Sequence, residues 1–108
     1  MSFVDVAGID DIPTGTIKPF TVAGKEIAIA NHGGSFYAIA RRCPHLGGDL
    51  SKGTLDGTTV TCPRHHSRFD VTTGNCLSGP KIGPLKLSTK DTTGYEVRVE
   101  GQRIQVNL

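Results

Sequence analysis

Between positions 27 and 30 the chain reads Ile-Ala-Ile-Ala. A two-residue period is that of a β-strand, with Ile27 and Ile29 on one face and Ala28 and Ala30 on the other. Related patterns run through "FVDV" near the start and through "TIKPFTV", which leads by Ala23-Gly24-Lys25 into "EIAIAN". "SFYAIAR" follows after a turn at His32-Gly33-Gly34. Toward the end, "YEVRVE" sets Tyr95, Val97 and Val99 against Glu96, Arg98 and Glu100. Gly101-Gln102 then turns the chain into "RIQVNL", with Ile104, Val106 and Leu108 on one face. This predicts a hairpin. No window sustains a helical period, and there is no repeat or low-complexity segment.

From about Arg42 to Pro84 the long alternating runs give way to cysteine, histidine, glycine and proline, with only short strand-like pieces such as "TTVTC" and "RFDV". The pattern predicts an all-β chain. Both ends, about 1–41 and 85–108, build an antiparallel sandwich or barrel, and a smaller loop-rich lobe, about 42–84, is inserted between them. At 108 residues this is a single domain, and 14 glycines and 6 prolines favour turns and short strands over long helices.

Charge and composition mainly exclude. A formal charge of +2 with no basic run argues against nucleic acid. Apolar stretches of a handful of residues fall far short of the ~20 a membrane-crossing helix needs. The opening "MSFVDVAGIDD" carries no basic and apolar leader pattern. An odd count of 3 cysteines does not suggest a disulfide framework, so the expected setting is a reducing cytoplasm.

The chemistry is concentrated in Cys43-Pro44-His45 and Cys62-Pro63-Arg64-His65. The pattern is Cys-x-His, then 16 residues, then Cys-x-x-His. Two thiolates and two imidazoles on separate loops suit a four-ligand metal site. The plainer alternative is an exposed histidine and a buried cysteine in each loop, with no metal.

These loops resemble those of Rieske-type iron–sulfur proteins. "CPHLGGDLSKG" is similar to the family's first cluster-binding loop and "CPRHHSRFDVTTG" to its second. "SGP" at 78–80 resembles the proline loop that covers the cluster on its third side, which implicates Pro80. "GPLKL" and "YEVRVEGQRIQV" fit the base domain, so the resemblance spans nearly the whole chain. One departure is "STKDTTG" at 88–94, read as a surface insertion of unknown use.

The resemblance implies a Rieske fold and one [2Fe–2S] cluster, with Cys43 and Cys62 on one iron and His45 and His65 on the other. His66 is then a solvated neighbour or a contact at the docking surface. Two ferric ions, two sulfides, two thiolates and two neutral imidazoles sum to zero charge, so adding an electron is easier than with four thiolates. The potential rises to roughly −150 to +300 mV, against about −400 mV for plant-type ferredoxins.

High-potential relatives staple the two loops with a disulfide. Here Gly48 or its neighbours and Arg64 fill those places, which leaves no staple. Those relatives also donate a serine and a tyrosine hydroxyl to sulfur. This chain keeps the serine as Ser67 and has Phe69 for the tyrosine, implying a low-to-intermediate potential. A serine that caps its own loop is the alternative for Ser67. Gly47, Gly48 and Gly79 are expected to let backbone N–H groups approach the sulfides or to serve tight turns. Cys76 is expected to be a small buried residue and His32 a turn residue. Asp70 either pairs with Arg41 or Arg42 or is solvated.

The function implied is a one-electron carrier, not an enzyme by itself. It would take electrons from a reductase and pass them to a terminal acceptor such as a ring-hydroxylating or related oxygenase. No Gly-x-Gly-x-x-Gly fingerprint for a flavin or nicotinamide is present. Arg64, His66, Arg68 and Lys81 offer a positive rim for an acidic partner, or an ordinary basic surface. The alternatives are a small subunit of a nitrite-reductase-like complex, a stand-alone redox protein, and a structural zinc protein using the same four ligands.

Overall fold

The computed structural model describes residues 2–44, 47–64, 66–79, 81–82, 85–86 and 90–108, with backbone alone at 81–82 and 85–86. Among these described residues thirteen strands follow one another: β1 (Phe3–Gly8), β2 (Ile17–Val22), β3 (Lys25–His32), β4 (Ser35–Ala40), β5 (Thr54–Asp56), β6 (Thr59–Thr61), β7 (Arg68–Asp70), β8 (Cys76–Ser78), β9 (Lys81–Ile82), β10 (Leu85–Lys86), β11 (Gly94–Tyr95), β12 (Val97–Glu100) and β13 (Arg103–Asn107). The helical content among the described residues is two 3-10 turns, Ile9–Asp11 and Leu50–Lys52. The fold is the antiparallel all-β architecture expected.

The strands form sheets in the orders β1-β13-β12, β11-β4-β3-β2 and β5-β6-β7-β8, with β9 and β10 as a separate pair. The third sheet lies wholly between β4 and β11 in sequence.

The Ile-Ala alternation of β3 explains how the layers stack. Ile27 and Ile29 join Ile12, Ala38, Ile104 and Val106 in one core. Ala28 and Ala30, on the opposite face, join Ile17, Ile39, Leu50, Val60, Phe69, Val71 and both loop cysteines in a second core. One strand is thus a wall shared by two cores, which is why it carries no polar face between Ile27 and Asn31. Each fully buried isoleucine contributes roughly 1.5–3 kcal/mol of transfer free energy.

Two expectations change. "YEVRVE" is not one strand: Tyr95 pairs with Ala38 of β4, and Val97 pairs with Val106 of β13. The chain crosses between sheets at Glu96. The segment 88–94 is exposed at Asp91, Thr93 and Gly94 in its described part, yet it is bonded into the sheets rather than merely laid on the surface. Gly94 pairs with Ile39, the Ala40 N–H donates to the Thr93 carbonyl at 2.8 Å, and the Thr92 N–H donates to the Gly74 carbonyl at 2.8 Å. The Cys76 N–H donates to Asp91 Oδ1 at 2.7 Å, and Thr92 is buried. Residues 91–94 therefore bond the third sheet to β4, and nothing in their polar composition signals this.

Candidate metal centre

Two loops with the same backbone closure lie at one end of the second core. In the first, the Cys43 N–H donates to the Gly48 carbonyl at 2.7 Å and the Gly47 N–H donates to the Cys43 carbonyl at 3.1 Å. In the second, the Cys62 N–H donates to the Ser67 carbonyl at 2.7 Å and the His66 N–H donates to the Cys62 carbonyl at 3.1 Å. Both loops turn back through a left-handed residue four positions after the cysteine, Gly47 at φ 69° and His66 at φ 65°. The Gly47 N–H is thereby committed to its own loop, so this glycine serves the turn.

The loops meet at Gly48. A Cβ built there would lie 2.6 Å from Cys62 Sγ and 3.4 Å from Arg64 Cβ. Positions 48 and 64 thus face each other at about the separation of disulfide-linked Cβ atoms, and none of the three cysteines is in a disulfide. Cys43 and Cys62 are buried in the same core as Phe69, whose ring is fully enclosed.

The first loop is held at its stem by a carboxylate. Arg41 Nη2 lies 2.8 Å from Asp49 Oδ2, and Arg41 Nε donates to both carboxylate oxygens at 3.1 and 3.2 Å. Asp49 also accepts from the Ser51 N–H at 3.0 Å, capping the turn Leu50–Lys52. The Arg41 hydrogen bonds hold the Asp49 carboxyl well below its ordinary pKa, with the Ser51 bonds adding to the effect. Asp49 was not among the expected functional residues; the signal was its place two residues before Ser51, an Asx cap.

Asp70 pairs with neither arginine. It accepts from the Thr72 N–H at 2.9 Å and Thr72 Oγ1 at 2.7 Å, an Asx turn, while Arg42 pairs with Glu26 at 3.2 Å.

Ser67 is buried at 1% exposure, and its Oγ has no hydrogen-bond partner among the described residues. A buried hydroxyl without an acceptor costs about 1–3 kcal/mol. Such an orphan in the loop of a buried cysteine fits a group that brings sulfur acceptors of its own, as a [2Fe–2S] cluster does. A serine capping its own loop through its hydroxyl is not what the geometry shows.

Arg64, His66 and Arg68 are exposed, as is His32, which ends β3 and pairs with Ser35 while Gly33-Gly34 make the turn. Cys76 is partly buried, and burial together with the Asp91 charge pushes its thiol pKa up. His45, His65 and Pro80 lie outside the described residues, as does the side chain of Lys81.

Comparison with known proteins places the chain in a family. A family model described as the Rieske [2Fe-2S] domain matches residues 2–103. The ferredoxin component of the naphthalene 1,2-dioxygenase/salicylate 5-hydroxylase systems of a Ralstonia species is 37% identical over 107 residues, 99% of this chain and 96% of the relative. The solved ferredoxin of carbazole 1,9a-dioxygenase from Nocardioides aromaticivorans IC177 is 33% identical, with a TM-score of 0.80 over 98% of this chain and 97% of that one. A chain in the complex of reduced oxygenase and oxidized ferredoxin in carbazole 1,9a-dioxygenase is 31% identical, with a TM-score of 0.77 over 96% and 91%.

Proposed function

The chain belongs to the Rieske [2Fe–2S] domain family and is an electron carrier of the ferredoxin type, and we propose that Cys43, Cys62, His45 and His65 hold its cluster. In this reading the two thiolates bind one iron and the two imidazoles the other. Ser67 donates to a cluster sulfur and Pro80 covers the cluster. The cluster supplies reversible one-electron chemistry at a potential above that of four-thiolate centres. The protein supplies the rest: twin loops that fix the thiolates, a dry core beneath them, and a buried hydroxyl. The observation that carries the reading is the orphaned Ser67 Oγ beside two cysteine loops of identical closure.

The partners follow from the relatives. Electrons enter from a reductase and leave to a terminal oxygenase of the ring-hydroxylating kind, in the cytoplasm. The base, about 1–41 and 85–108, carries a cluster lobe of about 42–84 whose loop tips dock on the partner. No helix among the described residues is long and apolar enough to cross a membrane.

Redox-titrated EPR with the visible spectrum tests the ligand set. The reduced protein is expected to show an average g below that of four-cysteine clusters, and Ser67→Ala is expected to lower the potential. A four-cysteine signal, or a colourless zinc protein, overturns the assignment.

A further inference from the structure

An open sheet has edges, and an edge strand offers unpaired N–H and C=O groups to any strand that can match it. Most edges here are blunted. β1 carries a bulge between Asp5 and Ala7, β2 carries Pro19, and β8 shifts register between its pairs with Arg68 and Phe69. β5 and β11 are only 3 and 2 residues long. β12 differs from all of these. It closes the sheet β1-β13-β12, its pairs with β13 run in unbroken register from Val97 to Glu100, and no strand among the described residues pairs with its other side.

The ladder fixes which groups face that side. Glu100 and Arg103 close the two-residue turn Gly101-Gln102, and the Asn107 N–H donates to the Glu96 carbonyl at 2.9 Å. Bonds to β13 therefore fall at Glu96, Arg98 and Glu100, and the alternation of an antiparallel pair turns the N–H and C=O of Val97 and Val99 to the open edge. Val99 is also one of two large apolar side chains left exposed among the described residues. On the other face of the strand, Arg98 and Glu100 are each at least half exposed, and their contact with one another is loose at 3.7 Å.

We infer that β12 pairs with the β12 of a second copy of this chain, antiparallel about a two-fold axis at Val99. Centred there, the register sets Val99 against its own copy as a hydrogen-bonded pair. It sets Arg98 against Glu100 of the second copy, and Glu100 against Arg98 of the second copy, as the non-hydrogen-bonded pairs whose side chains approach closest. Arg98-Val99-Glu100 is thus its own electrostatic complement, whereas an edge of one charge sign would repel its copy. A two-fold pair also closes on itself and leaves no further edge of this kind exposed. The contact is small, so the association is weak and depends on concentration. Val97 packs on the core of Ile27 and Ile29, across β3 from the core that holds Cys43 and Cys62, which puts the contact in the base and not on the cysteine loops.

The test is sedimentation of the cluster-loaded chain over a concentration series at low salt, with Arg98→Glu, Glu100→Lys and an equal mixture of the two. The parent is expected to pass from monomer toward dimer as concentration rises. Each single variant sets like charges opposite one another at both pairs and is expected to associate about tenfold more weakly. The mixture is expected to recover the association as a mixed dimer, in which every reversed charge meets its opposite. A parent that stays monomeric up to about 1 mM overturns the inference. So do single variants that associate like the parent, and so does a mixture no stronger than either variant alone. Arg98 also lies 4.2 Å over the Phe3 ring and donates to Gln105 Oε1 at 2.7 Å, so its replacement can unfold the sheet. Should that happen, amide exchange of the parent decides. Exchange at Val97 and Val99 that slows with concentration supports the pairing, and rates indifferent to concentration overturn it.

Discussion

In the first cysteine loop the chain turns back at Gly47, in the second at His66, and the bonds that close them match within the pair: 2.7 Å for the cysteine N–H and 3.1 Å for the cysteine carbonyl. What differs is the stem. The second loop grows from a sheet, with Thr61 of β6 paired to Arg68 of β7 on either side of it. The first has only an isolated bridge between Arg42 and Asp49, and the Arg41–Asp49 ion pair stands where a ladder would. One loop is positioned by a backbone ladder, the other by a single bridge, with the Leu50 N–H donating to the Arg41 carbonyl at 2.8 Å, reinforced by a charged side chain. The same closure is thus reached with two kinds of support, and each kind fails under different conditions.

The joint between the two stems gives the largest expected effect. Gly53 follows the turn Leu50–Lys52, and a Cβ there would lie 2.1 Å from the backbone carbonyl oxygen of Thr61, the residue before Cys62. Its φ of −77° is open to any residue, so the glycine is needed for space alone. Gly53→Ala must push β6 from β5 where the chain enters the second loop. The expected cost is about 3 kcal/mol, the upper range for overpacking, with a parallel loss of iron per chain. Denaturant midpoints of the cluster-free protein separate the two readouts, and an alanine variant as stable as the parent would show that the stems move independently.

Breaking the charged stem comes next. Asp49→Asn is expected to cost about 1–2 kcal/mol at neutral pH, since it weakens charge-assisted bonds to a partly buried arginine. The pH dependence has a definite sign. The folded-state pKa of Asp49 is depressed, so its contribution is complete above the ordinary carboxylate value of about 3.9 and is lost as pH falls from there toward the folded value. The parent should therefore lose stability more steeply than Asp49→Asn below about pH 4. Parallel slopes for the cluster-free proteins would deny Asp49 this role.

The contrast between the stems also explains what was legible in the sequence. The second stem announced itself through "TTVTC" and "RFDV", because a ladder leaves a two-residue period in apolar positions such as Val60 and Phe69. The first stem left no period, since one bridge, a single carboxylate and a cap carry it. Asp70 was the carboxylate expected to meet an arginine, and the path of the chain gave that place to Asp49 instead. For the same reason the bonds of residues 91–94 were invisible: three of their four contacts run through backbone groups, which any sequence of small polar residues can supply. Ser67 was readable from its motif. The closure shared by the loops was not, because a glycine and a histidine occupy the same backbone position.

That position yields the smallest and most discriminating prediction. A left-handed residue other than glycine costs roughly 1–2 kcal/mol, and a Cβ at Gly47 would meet no atom of the described residues within 4 Å. Gly47→Ala should therefore cost about 1 kcal/mol through the backbone alone, and His66→Gly should return up to about 1 kcal/mol, offset by the entropy of the new glycine. His66 is exposed, so no packing explains an imidazole in a strained turn beside a proposed iron ligand. Strain of this kind persists where a side chain serves function. His66→Gly is then expected to be more stable than the parent, to keep its iron, and to transfer electrons more slowly to the terminal oxygenase. Transfer at the parental rate would make His66 a tolerated oddity of the turn, while slower transfer with higher stability would identify it as a docking residue retained against the preference of its own backbone.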